Sequence, residues 1–273
     1  MTLEIANLSW GHPLPGGGWR QLFDDFNLSC QSGQFVVVIG NNGSGKSTLL
    51  NLIAGTLRQG GGRITLGGRP LHRYRDHRRA RWLGRVMQNP LEGTCPGLSI
   101  AENLRLAERR RHSGLSAQGL LGLRPSQADR RRYQDLLARL GLPLAGRLDT
   151  LVVELSGGQR QTLSLVMATL GDPELLLLDE HTAALDPKAE ATVMGLTEQL
   201  VRQLGATTFM VTHSLEQALQ YGDRLVMLRD GQLIGDWSAE AREGLTPASL
   251  RGLYGSAIVD PTEQPTAHAP AAP

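Results

Sequence analysis

Short apolar runs and turn residues alternate along this chain, and the spacing of the runs predicts its elements. Residues 2–8 alternate loosely as a strand, 11–18 form a flexible glycine- and proline-rich loop, and 26–29 predict a second strand. Phe35-Val36-Val37-Val38-Ile39 is a continuous, β-branched-rich run, the pattern of a parallel strand buried on both faces. Leu49-Leu50-Asn51-Leu52-Ile53-Ala54 predicts the first turns of a helix behind it. A glycine-flanked strand at 63–66 and a short strand at 86–90 follow. Residues 91–170 read as mostly helical. Ser99 with Glu102 offers a capping box, and an amphipathic helix over 127–140 is stopped by Gly141 and Pro143. Leu175-Leu176-Leu177-Leu178 predicts a fully buried strand, Pro187 opens a helix, and 207–212 predict another strand. Strands near 224–229 and 232–235 meet at Asp230-Gly231, a hairpin signal. Strands alternating with helices argue for an α/β fold with an open parallel sheet, whose site lies at the carboxyl ends of the strands.

Composition narrows this picture. Hydrophobic residues make up 40% of the 273 and aromatics only 4%, so the core is aliphatic and large enough for a globular domain. A net charge of +2 gives no argument for nucleic acid. No apolar run reaches the roughly 18–20 residues of a membrane span. The N-terminus lacks the pattern of a signal peptide, and Cys30 and Cys95 fit a reducing compartment. The chain is therefore expected to be cytosolic. Lys46 and Lys188 are the only lysines in an arginine-rich sequence. The arginines between 69 and 85 read as a solvated helix face rather than an anion-binding surface, and the runs at 109–111 and 130–132 likewise. They flank a Gly/Ser-rich link near 113–126, and the last residues, 256–273, are expected to be disordered.

The candidate chemistry gathers at the predicted strand ends. Gly40-Asn41-Asn42-Gly43-Ser44-Gly45-Lys46-Ser47-Thr48 reads G-x-x-x-x-G-K-S between a strand and a helix start, the phosphate-binding P-loop pattern. Glycines let the backbone approach phosphate closely, and the loop amides and helix N-terminus point at the anion. Lys46 is expected on the β- and γ-phosphates and the Ser47 hydroxyl on Mg²⁺. Asp179, ending the leucine strand, reads as a second holder of Mg²⁺. Glu180, one residue further out, reads as the base that polarises the attacking water. Gln88 and His213 are weak signals by themselves. Ser156-Gly157-Gly158, at a predicted helix start, is a second prospective anion site, a surplus that one P-loop does not need within its own chain.

In this order the motifs resemble those of the nucleotide-binding subunits of ABC transporters, over roughly residues 1–255. The resemblance rests on the P-loop 40–48, Gln88, Leu155-Ser156-Gly157-Gly158-Gln159, the Asp179-Glu180 strand, Ala184-Leu185-Asp186 and His213. It implies a RecA-like P-loop NTPase core with a parallel sheet, an N-terminal antiparallel β subdomain and an inserted helical subdomain. The core would span 1–88 and 161–255, with the helical part at 89–160. Two subunits would sandwich two ATP head to tail, each site using one P-loop and the other subunit's Ser156–Gln159 stretch, with Asp186 crossing the interface. Gln88 would touch Mg²⁺ and the attacking water and couple to an integral membrane permease, and His213 would contact the γ-phosphate. The aromatic that stacks on adenine in the family falls by spacing on His12, with Trp10 and Trp19 as alternatives. His181 stands where proline or alanine is commoner. The implied function is ATP hydrolysis on the inner face of the membrane, powering import, with an external substrate-binding protein and an amino-acid-like solute. Export or lipoprotein release is the alternative, and action on nucleic acid or ribosomes a more distant one.

Overall fold

The computed structural model describes residues 2–109 and 124–254. Arg110 and Arg111 of the first basic run, most of the link near 113–126 and the tail 256–273 lie outside those residues. Two sheets organise the chain. A four-stranded antiparallel sheet has the order β2-β1-β4-β5, built from β1 (Leu3–Pro13), β2 (Trp19–Cys30), β4 (Gly61–Leu66) and β5 (Arg69–Pro70). A six-stranded sheet has the order β10-β9-β3-β8-β7-β6. Its members are β3 (Phe35–Gly40), β6 (Leu83–Val86), β7 (Leu175–Asp179), β8 (Thr207–Val211), β9 (Arg224–Arg229) and β10 (Gln232–Ser238). All run parallel except β10, which returns antiparallel along β9.

The apolar runs read as doubly buried strands are so because each face meets a different core. Val36, Val38, Leu175 and Leu177 pack with β1, β2 and α1 (Lys46–Ala54). Val37, Ile39, Leu176 and Leu178 face the helical side. That side holds α3 (Ile100–Arg109), α4 (Gln127–Arg139), α5 (Gly157–Thr169), α6 (Pro187–Leu204), α7 (Leu215–Gln220) and α8 (Pro247–Tyr254). The expected capping box of Ser99 with Glu102 forms before α3, and two more that the sequence reading did not single out form before α4 (Ser126 with Asp129) and before α5 (Ser156 with Gln159). No helix among the described residues is long and apolar enough to cross a membrane.

Four local expectations change. β1 runs on to Pro13 and β2 starts at Trp19, so the loop shrinks to 14–18, where the positive φ of Gly16, Gly17 and Gly18 makes the turn. The strand expected at 86–90 is instead β6, ending at Val86, so Gln88 stands beyond it. β10 extends three residues past 235. The arginine-rich segment is not one helix face: it is broken into β5, a 3₁₀ turn at 71–73 and α2 (Asp76–Arg79). Within it Arg79 is buried, donating through Nη1 to the carbonyls of Leu52 (2.8 Å) and Ile53 (2.7 Å) and through Nε to Tyr74 (3.0 Å). It satisfies the last carbonyls of α1, which would otherwise lack partners.

Candidate active site

Because β3, β6, β7 and β8 are parallel, their carboxyl ends share one edge, and the loop 41–45, Gln88, Asp179-Glu180 and His213 all leave from it. The loop after β3 is shaped by glycine. Gly45 has φ 106°, and a Cβ there would lie 2.8 Å from the Phe23 ring of β2. A Cβ on Gly40 would lie 2.4 Å from the Leu228 carbonyl. The loop is gripped from outside by the β9–β10 turn, where Asp230 and Gly231 both have positive φ and the Gly231 amide donates to the Ser44 carbonyl at 2.9 Å. Lys46 is buried and folds back over the loop, donating to the carbonyls of Gly40 (2.6 Å) and Asn41 (3.1 Å). Burial lowers its pKa, opposed by the charges of Glu180 and Asp179. Ser44 Oγ and Asn41 Oδ1 are buried without a hydrogen-bond partner, as polar atoms are when they line a cradle awaiting one.

Next to this cradle, Ser47 Oγ donates to Asp179 Oδ1 at 3.0 Å, and Arg85 Nη2 lies 3.4 Å from Asp179 Oδ2. Burial pushes the Asp179 carboxyl up, against the Ser47 hydrogen bond and the Arg85 charge. Glu180 has the left-handed φ of 45°, rare for a residue with a side chain. Its Oε1 lies 2.6 Å from His213 Nε2. Burial works against its charge, but the His213 hydrogen bond and charge and the Lys46 charge outweigh it and hold the carboxyl below its ordinary range. Two consecutive carboxyls are thus driven in opposite directions, the arrangement by which neighbouring acids take different tasks. One hydroxyl and one carboxylate, with phosphate oxygens and water, form an all-oxygen set suited to Mg²⁺, and the unpartnered polar atoms and glycine cradle suit a nucleoside triphosphate.

Other expected residues stand apart from this cluster. Gln88 makes no hydrogen bond to a described residue and lines a cavity of about 210 Å³ with Arg160, His181 and Leu185. Ser156 is exposed and uses its hydroxyl to cap α5, accepting from Gln159 N at 3.3 Å. Gly157 and Gly158 approach Leu185 and Ala189 instead of the P-loop. Asp186 caps α6, accepting from Lys188 N (3.1 Å) and Ala189 N (3.0 Å). His12 pairs with Arg20 near the tip of the β1–β2 hairpin, 5.7 Å from the Trp10 ring, and Trp19 lies exposed over Gly11. Two neighbours of the site escape sequence reasoning. Arg85 was one arginine among many, and Gln217 bonds both Thr212 (2.7 Å) and Thr182 (3.0 Å), tying the His213 turn to the stretch after Glu180.

A family model described as ABC transporter matches residues 23–183. The chain belongs to the ABC transporter family. It is an ATP-binding cassette of that family and an ATPase. It is 44% identical over 257 residues to a tyrosine transport ATP-binding protein of Clostridioides difficile (strain R20291), covering 94% of this chain and 100% of that protein. It is 37% identical over 234 residues to a phosphonates import ATP-binding protein of Rhodopseudomonas palustris (strain HaA2), covering 85% of this chain and 80% of that one. Among solved structures, a dimeric bacterial ABC transporter cassette superposes with a TM-score of 0.73 at 26% identity, over 87% of this chain and 98% of the other.

Proposed function

We propose that two copies of this cassette bind two ATP between them and hydrolyse them to drive import of an amino-acid-like solute through a separate membrane permease. The observation that carries the reading is the division of the motifs. Lys46, Ser47, Asp179, Glu180 and His213 converge on one strand edge, whereas Ser156-Gly157-Gly158-Gln159 opens an exposed helix start that packs on the 184–189 stretch instead. A helix N-terminus with a hydroxyl and free amides suits a phosphate presented by another copy. The likeness to a phosphonates import protein supports the importing direction, and the likeness to a tyrosine transport protein supports an amino-acid-like solute.

In this reading the loop amides of 40–48 and Lys46 hold the β- and γ-phosphates, and the end of the β1–β2 hairpin that carries His12, Trp10 and Trp19 receives the adenine. Ser47 and Asp179 would hold Mg²⁺, joined by Gln88 once nucleotide is bound, and the ion would neutralise the charge of the phosphates. Glu180 orients and deprotonates the attacking water, and His213, bonded to Glu180, fixes that carboxylate and reaches the γ-phosphate. The partner's Ser156–Gln159 stretch closes the site and Asp186 crosses the interface. Residues 1–88 and 161–255 act as the ATP-binding core and 89–160 as the helical subdomain through which Gln88 couples to the permease. The assembly sits on the cytoplasmic face of the membrane, served by an external substrate-binding protein.

Gentle detergent purification of the tagged chain from its native host, with identification of co-eluting proteins, tests this. A multi-span permease together with an exported binding protein is the expected result. A permease alone would turn the reading to export, and ribosomal or DNA-associated proteins alone would overturn transport.

A further inference from the structure

Arg85 stands out among the groups around the site. Its strand, β6, pairs with β7 in a register that sets Arg85 opposite Leu177, two residues before Asp179. From there the side chain reaches along the sheet edge, one nitrogen 3.4 Å from Asp179 Oδ2 and another 3.4 Å from Thr56 Oγ1. The other oxygen of the same carboxylate accepts from Ser47. Both oxygens of Asp179 are therefore engaged inside the protein, one by the hydroxyl and one by a fixed cation. The pairing is not a tight fork: a single nitrogen meets the carboxylate at the long end of hydrogen-bond range, and Arg85 Nε is buried with no partner. An arginine serving only to lock the sheet would be expected to use its fork fully.

From this geometry we infer that Arg85 is a positioning residue and built-in counter-ion for Asp179. It balances and orients the carboxylate when no divalent cation is bound, and it opposes the cation when one arrives. The inference rests on the proposed reading of Ser47 and Asp179 as the Mg²⁺ site. A buried carboxylate left without a cation costs stability, so the guanidinium stabilises the nucleotide-free cassette. A fixed positive charge beside the same carboxylate also weakens its hold on a divalent cation, so Arg85 raises the free Mg²⁺ at which the site is half-filled. Lys46, the other cation near Asp179, is committed to the loop carbonyls and does not substitute for it.

The test is the affinity of wild type, Arg85→Met, Arg85→Gln and Arg85→Lys for a fluorescent ATP analogue, measured from EDTA through rising free Mg²⁺, with thermal melting of each protein in EDTA. Removing the charge is expected to lower the half-saturating Mg²⁺ by about five- to ten-fold, leave affinity in EDTA within about two-fold, and lower the melting temperature in EDTA. Arg85→Lys, which keeps the charge, is expected to stay near wild type. Arg85→Gln carries the test if Arg85→Met does not fold. An unchanged or raised half-saturating Mg²⁺ in the neutral variants would overturn the inference, as would an Arg85→Lys variant that moves as far as they do. A wild-type protein whose nucleotide affinity ignores Mg²⁺ would overturn the metal-site reading itself, and the inference with it.

Discussion

His181 follows Glu180 immediately, yet the residue is only 2% exposed, with Nε2 2.9 Å from Thr197 Oγ1 of α6. Burial depresses its pKa from 6.5 to about 4. The folded protein therefore keeps this imidazole neutral while the unfolded chain takes up a proton below 6.5. The sign follows: the unfolded state binds more protons, so stability is fully present above pH 6.5 and is lost as the pH falls toward 4. The whole window is worth about 3 kcal/mol, and about 2 kcal/mol of it is gone by pH 5. Replacing His181 by alanine abolishes this pH-dependent part. It also leaves a cavity and takes one of two partners from the Thr197 hydroxyl, which keeps its bond to the Val193 carbonyl; these costs are the same at both pH values and cancel in the comparison. Urea unfolding of both proteins at pH 7.5 and pH 5.0 reads the effect. The gap between wild type and His181→Ala should narrow by about 2 kcal/mol at the lower pH, near 0.7 M in midpoint for a urea slope of about 3 kcal/mol/M. Equal changes in the two proteins between the two pH values would refute the argument, because the ring would then titrate alike in the folded and unfolded states.

Three further outcomes follow from other contacts. Arg79→Ala should destabilise the fold by about 2–4 kcal/mol in urea titrations, since two buried carbonyls and the half-buried one of Tyr74 lose a charged donor. Gly231→Ala should cost about 2–4 kcal/mol and weaken nucleotide binding, because its Cβ would lie 1.6 Å from the Leu22 carbonyl and its amide holds the Ser44 carbonyl. Calorimetry with ATP would show the second effect as a weaker Kd. Ser156→Arg should bind ATP at close to wild-type affinity yet give no steady-state phosphate release, as expected if this serine serves another copy's nucleotide.

The framework of the site is legible in the sequence because its signals are local. A β-branched run, a glycine loop and a helix start are contiguous, so 35–54 announces strand, cradle and helix together. Asp179 is conspicuous because a carboxylate ending a leucine strand needs a partner. What escaped depends on partners distant in sequence. Arg79 and Arg85 look alike in an arginine-rich segment, and only their placement against α1 and Asp179 separates a helix cap and a carboxylate partner from the exposed arginines around them. The Asp230-Gly231 turn was visible as a hairpin, but its grip on Ser44 joins residues far apart in the chain. Gln217 likewise matters through Thr182 and Thr212, which no spacing rule connects. The β1–β2 hairpin is longer than its composition suggests, because Gly11 lies within β1 and only Gly16, Gly17 and Gly18 take the positive φ of the turn.

The central claim is that Glu180 activates water in a site closed by a second copy. Sedimentation of the Glu180→Gln cassette with Mg·ATP tests it most directly, with phosphate release followed on the same sample. The account predicts a stable dimer that retains ATP and releases phosphate at least about 10²-fold more slowly than wild type. A variant that stayed monomeric and turned over at the wild-type rate would contradict it, placing the base on another residue and the nucleotide within a single chain.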